Sequence, residues 1–328
     1  MRSSFTHKGG ALRVIVINPQ AKQLRADKNI ILRLKFLFID HAYIIDSNKI
    51  CNMLEKLNNL ILKGKRISQI FVVGGDGTFN HLINWVLKIP AQQRPALMSV
   101  GGGQFCFMTK HHKLKTTDPV TNLRDIFFNK ITLTTKSWRP ISIHDSKSNV
   151  THYSAVIANG ILSDLVKWYD ETGKGNIVSV AKMITMAIMG VLIEPIRKWH
   201  GKLKMTRGTM LLDKFKVPQN EYAGFAACAV DELITLCKPF KGRLDNKSFY
   251  TLAYWGCFKK LALSTPFLYF GKVPFWSKKE TFNQPVEELT IHTKDGDFIF
   301  DGDMYSYGMG QRKLTISRGP EIQLLIAY

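Results

Sequence analysis

The chain has 328 residues, 45% hydrophobic and 22% charged, enough for two ordinary domains with real cores and too apolar for a disordered segment. Lys and Arg number 46 against 25 Asp and Glu, a formal net charge of +21, which points to a polyanionic partner: nucleic acid, an anionic membrane surface or phosphate-rich ligands. The five cysteines include no C-x-x-C pair, which argues against a disulfide framework or a zinc site and for a reducing, cytoplasmic home.

The first ten residues carry no signal-peptide pattern. Leu12–Ile17 is a β-branched run closed by Asn18-Pro19, which predicts a buried parallel strand and a turn. Between Asn48 and Leu62, apolar residues recur every three or four positions, at Ile50, Met53, Leu54, Leu57 and Ile61, as on an amphipathic helix. Ile67–Val73 predicts a second buried strand, and a helical pattern with Leu82, Ile83, Val86 and Leu87 follows it. Ala96–Val100 predicts a third strand, ending in Gly101-Gly102-Gly103. Strands alternating with helices imply an α/β domain with a parallel sheet.

After about residue 135 the pattern changes. Arg139–His144, Thr151–Ala158, Tyr222–Ala229, Ser248–Trp255, Glu288–His292 and Asp297–Phe300 are short and strand-like. They predict a β-rich, sandwich-like C-terminal domain, interrupted by a helical insert near Val178–Ile193. The expected division is 1–136 and 137–311, with 312–328 returning to the first domain. The most apolar stretch, Met183–Ile193, is about half the length that spans a bilayer.

The central signal lies between the second strand and its helix: Gly74-Gly75-Asp76-Gly77-Thr78, followed by Phe79-Asn80. Glycines let the chain turn sharply, and backbone N–H groups then converge at the start of a helix, where anions are favoured. Asp76 could hold a Mg²⁺–water cluster or accept a proton, and Thr78 could cap the helix and bond a phosphate oxygen. A plain tight turn is the simpler account of two glycines, but the full five-residue string after a β run is far more specific. It is neither a Walker A loop nor G-x-G-x-x-G.

The string resembles the signature of the diacylglycerol kinase-like lipid kinases, which include sphingosine and ceramide kinases and bacterial lipid kinases. Other segments follow in the family's order over about 290 residues. Ile17-Asn18-Pro19 is similar to its opening strand and turn beside the nucleotide. Val100–Lys110 resembles its Pro-x-Gly-Thr-x-Asn segment, with Gln104 at the Thr and Cys106 at the Asn. Ala158-Asn159-Gly160 resembles its entry into the second domain. Gly242-Arg243-Leu244-Asp245 resembles its acidic loop near a structural Mg²⁺, and Asp301-Gly302-Asp303 its Asp-Gly-Glu motif.

The resemblance implies an ATP- and Mg²⁺-dependent kinase acting on a hydroxyl of a membrane lipid of diacylglycerol or sphingoid type. Nucleotide contacts would come from Asn18, Gly74, Gly75, Asp76, Gly77, Thr78, Asn80 and Gln104. Asp303 would be the general base, Asp76 would organise metal and phosphates, and Asp245 would be a metal ligand. Taken alone, Asp303 reads as an ordinary Asx turn and Asp245 as a solvated loop residue. The net charge suits peripheral docking on an anionic membrane, and a homodimer stays open. No recognition-module signature for nucleic acid accompanies the charge.

Four further readings complete the expectations. Departures at Lys22, Gln104, Cys106 and Asp303 leave room for a non-catalytic lipid- or nucleotide-binding protein. A soluble NAD kinase also carries a Gly-Gly-Asp-Gly-Thr turn. Lys110-His111-His112-Lys113 reads as a basic solvated stretch, and Trp199-His200-Gly201-Lys202 with Arg197, Lys198 and Lys204 as a candidate membrane-interface cluster.

Overall fold

The computed structural model describes residues 11–104, 106–172, 203–231, 238–294, 297–306 and 310–328. The chain divides into two compact units, Met1–Trp138 with Ile322–Tyr328, and Arg139–Glu321. The expected helical insert at 178–193 lies outside the described residues, as does the cluster at 197–204 apart from Lys204.

In the first unit, β1 (Leu12–Ile17), β2 (Tyr43–Asp46), β3 (Ile67–Gly74), β4 (Ala96–Gly102) and β5 (Leu133–Trp138) join the last strand, β19 (Ile322–Ala327). The sheet order is β2-β1-β3-β4-β19-β5. All neighbours run parallel except β19 and β5. Alternate strand positions serve opposite faces. Ile15, Ile17, Phe71, Val73 and Met98 share one buried cluster with Leu24 of α1 (Lys22–Ala26), Leu34 and Phe38 of α2 (Asn29–Phe38), and Leu123 of α6 (Pro119–Phe127). Each such fully buried side chain contributes roughly 2 kcal/mol. α3 (Ile50–Leu62) packs on α4 (Asp76–Val86), where the Trp85 indole N–H donates to Asn58 Oδ1 at 2.8 Å.

β1 has β2 on one side and β3 on the other, so the chain winds away from β1 in both directions. In parallel sheets, ligands bind outside the carboxyl ends of the strands at such a switch point. Here those ends are Asn18, after β1, and Gly74-Gly75, at the end of β3.

The second unit is antiparallel. One sheet joins β6 (Ile141–Asp145), β7 (Val150–Ser154), β9 (Thr206–Leu212), β10 (Phe215–Lys216), β11 (Glu221–Tyr222), β15 (Glu288–Thr293) and β18 (Arg312–Arg318). The other joins β8 (Val156–Gly160), β12 (Gly224–Cys228), β13 (Phe249–Tyr254), β14 (Thr281–Val286), β16 (Asp297–Phe300) and β17 (Asp303–Ser306). Rings on the two sheets meet, His152 against Phe300 and Phe215 against Phe282. The single strand expected over Thr151–Ala158 is two, β7 and β8, broken at Ala155 where the chain passes from one sheet to the other. At the C-terminus, Arg312–Arg318 pairs with β15 and β6 of the second unit, and Ile322–Ala327 is the segment that joins the first sheet.

Candidate active site

β3 passes into α4 with Gly75 in the N-cap position and no side-chain cap. The Thr78 hydroxyl therefore does not cap its helix. It accepts a hydrogen bond from Asn18 Nδ2 at 2.8 Å, which ties the end of β1 to the start of α4. Asn18 is held in turn: its N–H donates to Val73 O at 2.9 Å and its Oδ1 accepts from Gln20 N–H at 3.0 Å.

The second glycine run lies against the first. β3 and β4 pair with a register shift after Val72, which sets Val73 opposite Gly101 and Gly74 opposite Gly102. Gly101 and Gly102 have φ of +104° and +107°, a region that L side chains rarely adopt. A Cβ on Gly103 would stand 2.4 Å from Gly75 Cα, so backbone meets backbone with no room for a side chain. Neither backbone can retreat far without breaking the β3–β4 ladder. Gly103→Ala is expected to cost roughly 3 kcal/mol, read as a fall in Tm, with weakened ATP binding by calorimetry.

The next turn is where Cys106 stands in place of the Asn of the resembled segment. Cys106 precedes α5 (Phe107–His111) in the left-handed region, with φ +50°. Asn tolerates that conformation better than most residues, which gives a backbone reason for an Asn there. The Cys106 thiol is buried, and burial followed by the charge of Asp76 pushes its pKa up to about 12, so it is an inert thiol.

Asp76 is buried and faces this turn. Its Oδ1 accepts from Met108 N–H at 3.2 Å. Burial lifts its pKa to about 7, against the lowering effect of backbone N–H groups of Met108, Phe107 and Cys106. The carboxylate thus anchors α5 to the glycine turn. Asn80 is also buried, and its Oδ1 accepts from Asn84 Nδ2 at 2.6 Å, an engagement within α4.

Two departures meet each other: Lys22 Nζ donates to Gln104 Oε1 at 3.0 Å. The pair puts a cation on the glycine loop. The signal for it in the sequence was that both positions depart from the pattern together.

His112 corrects the expectation of a solvated basic stretch. It is fully buried, and its Nδ1 lies 2.6 Å from Leu325 O of β19. That contact requires an Nδ1–H donor. Burial, then the neighbouring His111, lowers its pKa to about 3, so the ring is neutral and structural.

Asp245 and Asp303 lie in the second unit. Asp245 is exposed, and its Oδ1 accepts from Lys247 N–H at 2.8 Å and Ser248 N–H at 2.6 Å, which holds its pKa below the usual carboxylate range. This is a loop-closing Asx arrangement. Among the described residues, no group of three or more His, Cys, Asp or Glu side chains could hold a metal ion.

Asp301-Gly302 is the two-residue turn of the β16–β17 hairpin, with Phe300 paired to Asp303 and φ of +51° and +91° at the two turn residues. Positive φ at both is the type I′ geometry that Asp-Gly favours. Asp301 is 3% exposed, and its Oδ1 accepts from Ala155 N–H at 3.0 Å and Val156 N–H at 2.8 Å. Asp303, the first residue of β17, is exposed. The two acidic residues of the motif therefore differ: Asp301 is buried and holds the β7–β8 crossing, and Asp303 is exposed. The sequence reading weighed only Asp303.

Residues 13–135 match the diacylglycerol kinase catalytic domain. That match lies within the first unit, and it is this segment that is similar to the kinase family. A diacylglycerol kinase of Bacillus anthracis superposes with a TM-score of 0.59 at 12% identity, over 95% of this chain and 96% of its own. A second protein of that organism, provisionally named a diacylglycerol kinase, gives 0.63 at 14% identity over 95% and 96%. At such identities the shared property is the fold. A yeast NADH kinase complexed with NADH reaches 0.48 at 9% identity, over 98% of this chain and 84% of its own, and decides nothing about substrate. No curated protein matches the sequence. Among the described residues, no helix is long and apolar enough to cross a membrane.

Proposed function

We infer that this kinase-family chain transfers the γ-phosphate of ATP, with Mg²⁺, to a hydroxyl of a membrane lipid. The observation that carries the reading is the glycine cradle at the sheet's switch point, where Gly74-Gly75 and Gly101–Gly103 abut and Asn18 is bonded to Thr78. Glycine backbones packed this closely expose N–H groups that phosphate oxygens can approach. Lys22 adds charge, and Thr78 keeps a hydroxyl hydrogen to donate. Gly77 and Gln104 complete the loop residues around the phosphates.

A Mg²⁺ ion would neutralise charge on the transferring phosphate. Its ligands would be mainly phosphate oxygens and water, because Asp76 is the one carboxylate of the glycine turn. A nearby cation would favour the ionised form of that carboxyl group. For the proton of the substrate hydroxyl, the family resemblance points to Asp303, which is exposed. It would take the proton as the lipid oxygen bonds to the γ-phosphorus and the bond to ADP breaks.

The test is label transfer from γ-labelled ATP to diacylglycerol, monoacylglycerol, sphingosine and ceramide, each in anionic mixed micelles. The expected result is one labelled lipid class, with NAD unlabelled. Labelled NAD would replace lipid as the acceptor. ATP binding without any labelled product would favour the second reading, a nucleotide-binding protein. That reading draws on the buried Asp76 carboxylate, already engaged with α5.

A further inference from the structure

The second unit carries an exposed aromatic ridge that the sequence reading passed over. It consists of α8 (Phe258–Leu268) and the 3-10 turn Phe275–Glu280. The turn packs back on the helix, where the Trp276 indole N–H donates to the buried Ser264 hydroxyl at 3.1 Å. Phe267 and Phe275 flank Trp276, with ring centroids 5.5 and 5.0 Å away. The helix closes in a Schellman motif: Lys272 N–H reaches Phe267 O at 3.0 Å and Gly271 N–H reaches Leu268 O at 3.0 Å, with Gly271 at φ +70°. This sharp stop leaves Phe270 outward.

The exposures are unusual for such side chains. Phe275 is 84% exposed, Phe270 63% and Leu263 52%, and Phe267, Tyr269 and Trp276 are exposed as well. Six large apolar side chains bared within fourteen residues form a ridge that water disfavours. The same stretch, Cys257–Glu280, holds five lysines and one acid, Glu280. Glu280 is bonded to Lys260 at 2.6 Å. Lys259, Lys272, Lys278 and Lys279 are exposed and have no carboxylate partner among the described residues.

We propose that the ridge Leu263–Lys279 is the surface by which this protein docks on an anionic lipid bilayer, with Phe270 and Phe275 entering the acyl boundary and Lys272, Lys278 and Lys279 meeting the headgroups. Lysine is depleted at protein–protein contacts, so unpaired lysines around bared aromatics argue against a protein occupant. They are the expected rim of a membrane contact, where Trp sits at headgroup depth and each Lys gains from the negative surface potential. The choice of a bilayer rests partly on the lipid-substrate reading, so its test needs no catalysis.

The experiment is co-sedimentation of the full chain, without nucleotide, with vesicles of phosphatidylcholine alone or mixed equally with phosphatidylserine. Wild type should bind the mixed vesicles and bind phosphatidylcholine far less. F270S/F275S and K272Q/K278Q/K279Q should each weaken binding about tenfold or more, with unchanged thermal melts. The control K147Q/K294Q/K313Q removes the same number of charges from a separate cavity of about 800 Å³ in this unit. It should weaken binding no more than about twofold. Equal losses from both lysine sets would reduce the effect to net charge and overturn the assignment, as would wild-type binding by F270S/F275S. A dimer dissolved by F270S/F275S, with no vesicle binding by wild type, would assign the ridge to a second copy instead. Loss of label transfer with vesicle binding intact would count against the kinase reading and leave the ridge assignment standing.

Discussion

Asp303→Asn lowers kcat about 10²- to 10⁴-fold while Tm stays near that of wild type, and Asp301→Ala does the reverse. The first expectation follows from the loss of a general base, whose contribution is of that order. Asp303 is exposed and stands outside the two-residue turn, and an isosteric amide keeps the shape of the side chain and an oxygen that can accept a hydrogen bond. The second follows from burial. Removing the Asp301 carboxylate strands the Ala155 and Val156 N–H groups at the point where β7 becomes β8. Charged hydrogen bonds to buried donors contribute roughly 1.5–3 kcal/mol each. Alanine also tolerates a φ of +51° less well than aspartate, whose side chain bonds locally there. The expected loss is roughly 3–6 kcal/mol, measured by urea unfolding. If Asp301→Asn, which keeps an acceptor oxygen, abolished turnover at wild-type stability, the roles of the two residues would have to be exchanged.

The first sheet was legible because its strands are continuous apolar runs closed by Asn-Pro or by glycines. Leu12–Ile17 keeps its expected bounds, and Ile67–Val73 and Ala96–Val100 extend only into the adjoining glycines. α2 was missed because Asn29–Phe38 bares Leu32 and Phe36 and blurs the period. α8 was missed because Pro266 argues against a helix, yet it stands near the helix end, where the Schellman closure follows. Within the site, the glycine string announced the turn, since a requirement for absent Cβ atoms is written in residue identity. What each carboxylate faces is not so written. Asp76 turned toward α5 and Asp301 toward the β7–β8 crossing are set by backbone N–H groups distant in the chain. His112 was misread for the same reason, because its burial depends on β19, more than 200 residues later.

That pairing of buried Asp76 and buried His112 on either end of α5 leads to the second large effect, on pH dependence. Burial raises the folded pKa of Asp76 from 3.8 to about 7. Between those values the folded state holds the proton more tightly than the unfolded chain, so this group's stability contribution falls as pH rises from about 4 to about 7. Above pH 7 the full penalty, roughly 4 kcal/mol at most, is present. His112 runs the other way. Its folded pKa is lowered from 6.5 to about 3, so its contribution is complete above pH 6.5 and is lost as pH falls toward 3. From about pH 4 to 6.5 the two slopes oppose, and this part of the wild-type profile should be nearly flat. Asp76→Asn keeps an oxygen that can accept from Met108 N–H but removes the buried charge. The variant should be more stable than wild type at pH 8, by up to a few kcal/mol, and should lose that gain progressively on acidification to pH 4, exposing the His112 slope. Its phosphoryl transfer should fall sharply if Asp76 is the carboxylate that serves the metal. Urea titrations at pH 4, 6 and 8 decide the matter. An Asp76→Asn variant less stable than wild type at pH 8 would mean that the ionised carboxylate strengthens the start of α5 by more than its burial costs.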